Sequence, residues 1–173
     1  MKTLYLLRHA KSDWETDFST DHERGLSPRG IDASHKIAEY WNQFGFHCDL
    51  CYHSDAKRSV LTWEIISEKH SFAKKVEIQP AIYEANGDAL FEIIRSAPDD
   101  CQSLLVIGHH PGLEELAELL ILGDDSEDLH NPLFTKFPTA AFLGISLSVE
   151  NWRDVSPGHA SITVFWIPGR KGR

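Results

Sequence analysis

Two histidines and two arginines of this chain stand where short apolar runs end. Arg8-His9 closes the run that begins at Leu4. Gly108-His109-His110-Pro111-Gly112 follows Ser103–Ile107, and Arg58 comes four residues after Ser54. A histidine at a strand tip beside an arginine can be a nucleophile, an acid or base, or a ligand. Its imidazole is the side chain most easily poised near neutral pH. The Gly-His-His-Pro-Gly stretch lies between a strand and a helix start, where free backbone N–H groups suit an anion. Taken singly, His9 reads as a loop histidine and Arg58 as a solvated arginine, while 108–112 reads equally as a turn built by Gly and Pro or as an anion site.

What matters is whether the fold brings them together. Thr3–Arg8, Asp49–His53, Val76–Gln79, Ser103–Ile107, Ala140–Val149 and Ser161–Ile167 read as strands, being short and rich in apolar residues. Between them lie amphipathic stretches. Ser27-Pro28 looks like an N-cap and a first-turn proline. Ile31, Ile37, Ala38, Trp41 and Phe44 continue with helical spacing to a stop at Gly45. Ala56–His70 and Asp88–Ser96 are the next helices. Leu113, Leu116, Ala117, Leu120 and Ile121 repeat at i, i+3, i+4, i+7, i+8, the mark of one buried face. Strands alternating with helices imply crossover units and a three-layer α/β/α sandwich with a mostly parallel central sheet. In such sheets ligands bind beyond the carboxyl ends of the strands. Three strand ends would then deliver Arg8-His9, His53-Ser54 and Gly108-His109 to one edge of the sheet.

The composition narrows the partners. The chain has 173 residues, 17 Lys+Arg against 26 Asp+Glu, and a formal net charge of −9. That length suits a single domain spanning 1–173. The acidic balance argues against nucleic acid, whose binders present a basic surface to phosphates, and against anionic lipid. No run approaches the ~20 apolar residues of a membrane span. Three cysteines, Cys48, Cys51 and Cys101, do not make a disulfide framework, so a reducing cytoplasm is expected. His47-Cys48-x-x-Cys51-x-His53 hints at zinc, but alternation along a strand would put the two thiols on opposite faces. Core thiols are expected instead. The acidic stretch Asp124–Asp128 lacks the glycine and terminal Glu of a calcium loop and reads as solvated, and the basic tail from Gly169 to Arg173 as a frayed end.

Four spaced motifs resemble the histidine phosphatase superfamily, the family of the phosphoglycerate mutases and related phosphatases. They are Arg8-His9, Ser54-x-x-x-Arg58-x-x-x-Thr62, Gly108-His109-x-Pro111-Gly112, and the Pro138-Thr139 pair before the penultimate strand. Leu6–Trp14 and Asp21–Gly30 are similar to the opening segments of its small SixA-type phosphohistidine phosphatases. Gly25 stands where proline is usual, and His110 where asparagine is usual. The resemblance runs in order over nearly the whole chain.

It implies a phosphoglycerate mutase-like fold and a phosphatase that needs no cofactor or metal. His9 would be the nucleophile, forming a transient phosphohistidine. Arg8 and Arg58 would clamp phosphate oxygens with their planar donors, and His109 would donate to the transferring group. Glu84, after the third strand, is the candidate acid for the leaving group. Arg24 and Ser12 are candidate substrate contacts, with a salt bridge to Asp21 or Glu23 as the plain alternative for Arg24. His110 receives no role. The implied substrate is a phosphorylated protein carrying phosphohistidine; a small phosphorylated metabolite is the alternative, and a non-catalytic phosphate-binding module comes after it. A mutase ranks lower still, since the family's mutases carry longer insertions. The segments 13–23 and 123–138 are the possible lids, which points to an open site. The pocket is expected to be a cationic hole in an acidic body.

Overall fold

The computed structural model of the chain describes residues 1–122 and 137–169. The acidic stretch 124–128, nearly all of the candidate lid 123–138, and the end of the basic tail lie outside the described residues. Six strands form one sheet: β1 (Lys2–Arg8), β2 (Cys48–His53), β3 (Ala73–Ile78), β4 (Ser103–Gly108), β5 (Phe142–Leu147) and β6 (Ala160–Trp166). Their order across the sheet is β3-β2-β4-β1-β5-β6. The pairs β2–β3, β2–β4 and β1–β4 are parallel, whereas β1–β5 and β5–β6 are antiparallel. The sheet is therefore mixed, its parallel part being the part that carries the motifs.

Among the described residues, four α-helices cover it: α1 (Pro28–Phe44), α2 (Lys57–Ile66), α3 (Gly87–Arg95) and α4 (Gly112–Ile121). Strand alternation separates two cores. Leu4, Leu6, Leu104, Val106, Leu143 and Ile145 pack with Leu90, Ile94, Leu116 and Leu120 of α3 and α4. Leu7, Leu105, Ile107 and Phe142 pack with Ile37, Trp41, Trp63 and Ile66 of α1 and α2. Each strand at the centre thus buries both faces, as near-continuous apolar runs require.

Local chemistry sets the element ends. Ser27 caps α1 by accepting a hydrogen bond from the Gly30 N–H at 3.1 Å, and Pro28 follows at the first position. Gly45 ends the helix with φ 67, the left-handed conformation that glycine adopts without strain. The buried face of α1 is Gly30, Ser34, Ile37 and Trp41. Ile31 and Phe44, counted above with the apolar stripe, are exposed. The second helix stops at Ile66 rather than His70, where Ser67 turns its hydroxyl back to the Trp63 carbonyl. Strand β3 begins at Ala73, three residues earlier than expected. It is an outer strand, so Lys74 and Lys75 can stay in solvent, paired with Asp49 and Glu77. Cys48 and Cys51 are both buried in the core beneath α1 and α2, so alternation does not separate them as expected. Burial pushes the Cys48 thiol up to about 12, which keeps it a protonated core residue. Among the described residues, no helix is long and apolar enough to cross a membrane.

Candidate active site

The chain passes from β1 to β2 and β3, then returns to insert β4 between β2 and β1. This places three strand ends side by side. Arg8 pairs with Gly108, and His53 with Ile107. The ladder runs one residue further, since His9 N–H donates to the Gly108 carbonyl and Ser54 N–H to that of Ile107, each at 3.1 Å. His9, Ser54 and His109 therefore leave the sheet in fixed register, and the rings of His9 and His109 lie 5.1 Å apart.

His9 is buried, 6% exposed. Its Nδ1 lies 2.7 Å from the Ala10 carbonyl oxygen, which can only accept. Nδ1 must carry the proton, leaving the lone pair on Nε2. Burial holds the imidazole well below its ordinary value, and His109, Arg58 and Arg8 push the same way. The result is a neutral ring whose Nε2 keeps its lone pair, the state that attack by an imidazole requires. His109 is pushed down to about 4, first by burial and then by Arg58. Its Nε2 meets Ser54 Oγ at 2.7 Å, while the same oxygen accepts from Ala56 N–H. If the hydroxyl proton goes to Nε2, every atom of Ser54 is satisfied and the proton of His109 sits on Nδ1 as a donor.

Arg58 stands in the first turn of α2, and Thr62 one turn on. Thr62 Oγ1 donates to the Arg58 carbonyl at 2.7 Å and accepts from Ala10 N–H at 3.1 Å. The Arg-x-x-x-Thr spacing thus ties the clamp helix to the loop behind His9. Arg8 turns from the end of β1 and donates from Nη1 to the Phe137 carbonyl at 2.9 Å.

The segment after β1 adds a third guanidinium. It is pinned at its base by a bridge between Ser12 and Leu26 and by bonds joining Asp13 to Gly25 and Ser27 to Lys11. Gly30 is needed there, because a Cβ would come within 2.1 Å of the Lys11 carbonyl oxygen. Arg24 is buried, donates to Ser12 Oγ, and lies 3.7 Å over the ring of Trp14. Ser12 thus sits behind Arg24, itself buried. Arg24 also makes the salt bridge to Asp21 at 2.9 Å.

Sequence reasoning offered Asp21 only as a partner for Arg24 and missed its links to Arg58 and Tyr83. One carboxylate takes Arg24 Nη2 at 2.9 Å, Arg58 Nη2 at 3.1 Å and the Tyr83 hydroxyl at 2.7 Å. These bonds, Arg24 first, hold its carboxyl far below the usual carboxylate range. Tyr83 was missed as well. Its ring stands edge-on to His109 at 5.6 Å, in the wall beside the histidines. The neighbouring Glu84 is exposed, in the left-handed region at φ 59, and its side chain makes no hydrogen bond among the described residues. His110 faces outward and pairs with Glu114 at 2.9 Å.

The pocket is not a bare cationic hole, since Asp21 partners two of its three arginines and Glu114 acts on Arg8. It is still rich in donors. Arg8 Nε, Arg24 Nε, Arg58 Nε and His109 Nδ1 are buried without a partner among the described residues. Buried donors of this kind are costly unless something accepts from them. Three of these donors belong to Arg8, Arg58 and His109, the groups whose charge acts on His9, and an oxyanion near His9 could accept from them.

Comparison with known proteins agrees with this geometry. The family model of the histidine phosphatase superfamily (branch 1) matches residues 4–110. An uncharacterized protein of Mycobacterium tuberculosis (strain H37Rv) is 31% identical over 167 residues, 94% of this chain and 99% of that protein. Among solved structures, a protein assigned as phosphohistidine phosphatase SixA from Nakamurella multipartitia superposes with TM-score 0.81 at 22% identity, covering 98% of this chain and 97% of its own. The protein histidine phosphatase SixA in complex with tungstate gives 0.76 at 18% identity, with coverage of 96% and 97%. A protein assigned as an alpha-ribazole-5'-P phosphatase from Escherichia coli gives 0.67 at 16% identity, covering 95% and 96%. The chain belongs to the histidine phosphatase superfamily, as a phosphatase built on the phosphoglycerate mutase-like α/β fold that the SixA proteins share.

Proposed function

We propose that the chain is a metal-independent phosphohistidine phosphatase that works through a covalent phosphohistidine on His9. The carrying observation is the state of His9: buried, neutral and protonated on Nδ1, with its charge state set in part by Arg8, Arg58 and His109, which carry unpartnered donors. Nε2 attacks phosphorus in line, a P–N bond forms, and the bond to the leaving group breaks. Arg8 and Arg58 take the equatorial oxygens, where charge is spread in the transition state. His109 donates from Nδ1, and Arg24, backed by Ser12, extends the clamp. Guanidinium groups supply the positive charge that a metal would otherwise bring. Water then attacks the phosphorus of phospho-His9, releasing phosphate and returning the free imidazole.

A phosphoramidate needs little acid help, because its leaving ring nitrogen is readily protonated. Glu84 remains the candidate acid for less activated substrates. The likeness to SixA structures supports a protein-borne phosphohistidine as substrate. A small phosphorylated metabolite is the second reading, supported by the alpha-ribazole-5'-P phosphatase neighbour.

The test is hydrolysis of an aryl phosphate, of phosphohistidine proteins and of sugar phosphates by wild type and His9→Ala. Wild-type turnover should persist in EDTA and be inhibited by vanadate. His9→Ala should lose both turnover and the acid-labile phosphoenzyme. Label retained in that variant would move the nucleophile elsewhere, and loss of activity on chelation would end the metal-free mechanism.

A further inference from the structure

Resting on the phosphatase reading above, we propose that Asp21, anchored by Tyr83, is the positioning residue that sets Arg58 and Arg24 as one phosphate clamp. The two arginines come from different elements. Arg58 rises from the start of α2 and Arg24 from the pinned segment after β1, and both side chains are buried. Two like charges brought together without a counter-ion would repel, and each long side chain would keep its rotamer freedom.

Asp21 answers both problems. Its carboxylate bridges the two guanidiniums, Oδ1 to Arg24 and Oδ2 to Arg58, while its backbone carbonyl takes Arg58 Nη1 at 2.8 Å. Arg58 is thus gripped along its terminal edge by one residue, which fixes the plane of the fork. Arg24 is held by three groups: Asp21, Ser12 and the face of Trp14. Both grips leave the Nε atoms, buried and unpartnered, as the donors still to be satisfied. The carboxylate itself is half exposed and could swing away. The Tyr83 hydroxyl donates to Oδ2 at 2.7 Å and stops it. Because the same tyrosine ring packs edge-on to His109, the arginine clamp and the second histidine share one support.

The experiment measures binding of vanadate and inorganic phosphate by calorimetry, with aryl phosphate kinetics and thermal melting, on wild type, Asp21→Asn and Tyr83→Phe. Asp21→Asn keeps the shape and removes the charge. It should weaken vanadate at least tenfold and lower kcat/KM by a similar factor. Tyr83→Phe keeps the ring and the carboxylate charge. It should weaken vanadate about fivefold, the loss of one hydrogen bond, with the melting midpoint unchanged. Should Asp21→Asn fail to fold, Tyr83→Phe decides. Vanadate binding as tight as wild type in both variants, or tighter in Asp21→Asn, would overturn the proposal, the latter because Asp21 would then be competing with the anion. A wild type that neither binds vanadate nor hydrolyses the aryl phosphate would remove the phosphatase reading and this inference together.

Discussion

Replacing Thr62 by valine isolates the link between α2, which carries Arg58, and the loop that holds His9. Valine is close to threonine in shape and leaves no cavity, so the change removes only the hydroxyl. Two bonds go with it. The Arg58 carbonyl keeps its helical partner, so losing the 2.7 Å bond from Thr62 costs little there. The Ala10 N–H is different: it is buried, and it donates to Thr62 Oγ1 at 3.1 Å. An unpaired buried donor costs about 1–3 kcal/mol. For a domain of this size about 2 kcal/mol lowers the melting midpoint by roughly 4–8 °C. The effect should not stop at stability, because the Ala10 carbonyl on the same residue orients the His9 ring. A small displacement of a nucleophile is costly to the rate, so kcat on an aryl phosphate should fall at least tenfold. The assay pairs thermal melting with steady-state kinetics on Thr62→Val and Thr62→Ser, the serine keeping the hydroxyl and most of both properties. A Thr62→Val protein that melts within 1 °C of wild type and keeps its kcat would refute the reasoning from bond to geometry.

Three further outcomes are expected. His9 and His109 are both held below the ordinary histidine value, by burial first. Neutral rings should therefore keep kcat/KM flat from pH 7.5 down through 6.5, with the acid limb well below. An acid limb centred near 6.5 would contradict a buried neutral nucleophile. The same shifts bear on stability, since the unfolded chain takes up protons at its ordinary value near 6.5 before the folded one does. Their contribution is complete above that value, declines as the pH falls from 6.5 toward 4, and is lost through the folded value, about 4 for His109. Denaturation midpoints measured across that window should rise with pH, and stability that stays level would contradict the shifts. Glu84→Gln should slow alkyl phosphates more than nitrophenyl phosphate, whose leaving group needs no proton. Equal slowing of both would remove Glu84 as the acid.

The sequence by itself determined the layers and the place of the chemistry. Apolar runs ending in Arg8-His9, His53-Ser54 and Gly108-His109 specify strand tips, because a buried strand must be apolar and its end is where polar residues can begin. The Ser27 cap and Gly45 stop likewise locate α1 without any tertiary knowledge. Element ends set by packing were less legible. The start of β3 was hidden by lysines that an outer strand tolerates, and the C-terminal part of α2 looked helical until a serine turned back on it.

Only the tertiary structure decided what surrounds the histidines. Inserting β4 between β1 and β2 puts residues 9, 54 and 109 within one hydrogen-bonded set. No spacing rule brings Asp21, Arg58 and Tyr83 together, since each comes from a different element and their contacts span 37 and 62 residues. Local periodicity encodes which face is buried; it carries no information about which distant polar groups meet. The tautomer of His9 belongs to that second kind of fact, and it is what leaves a lone pair on Nε2 of the buried ring, as the proposed nucleophilic role needs.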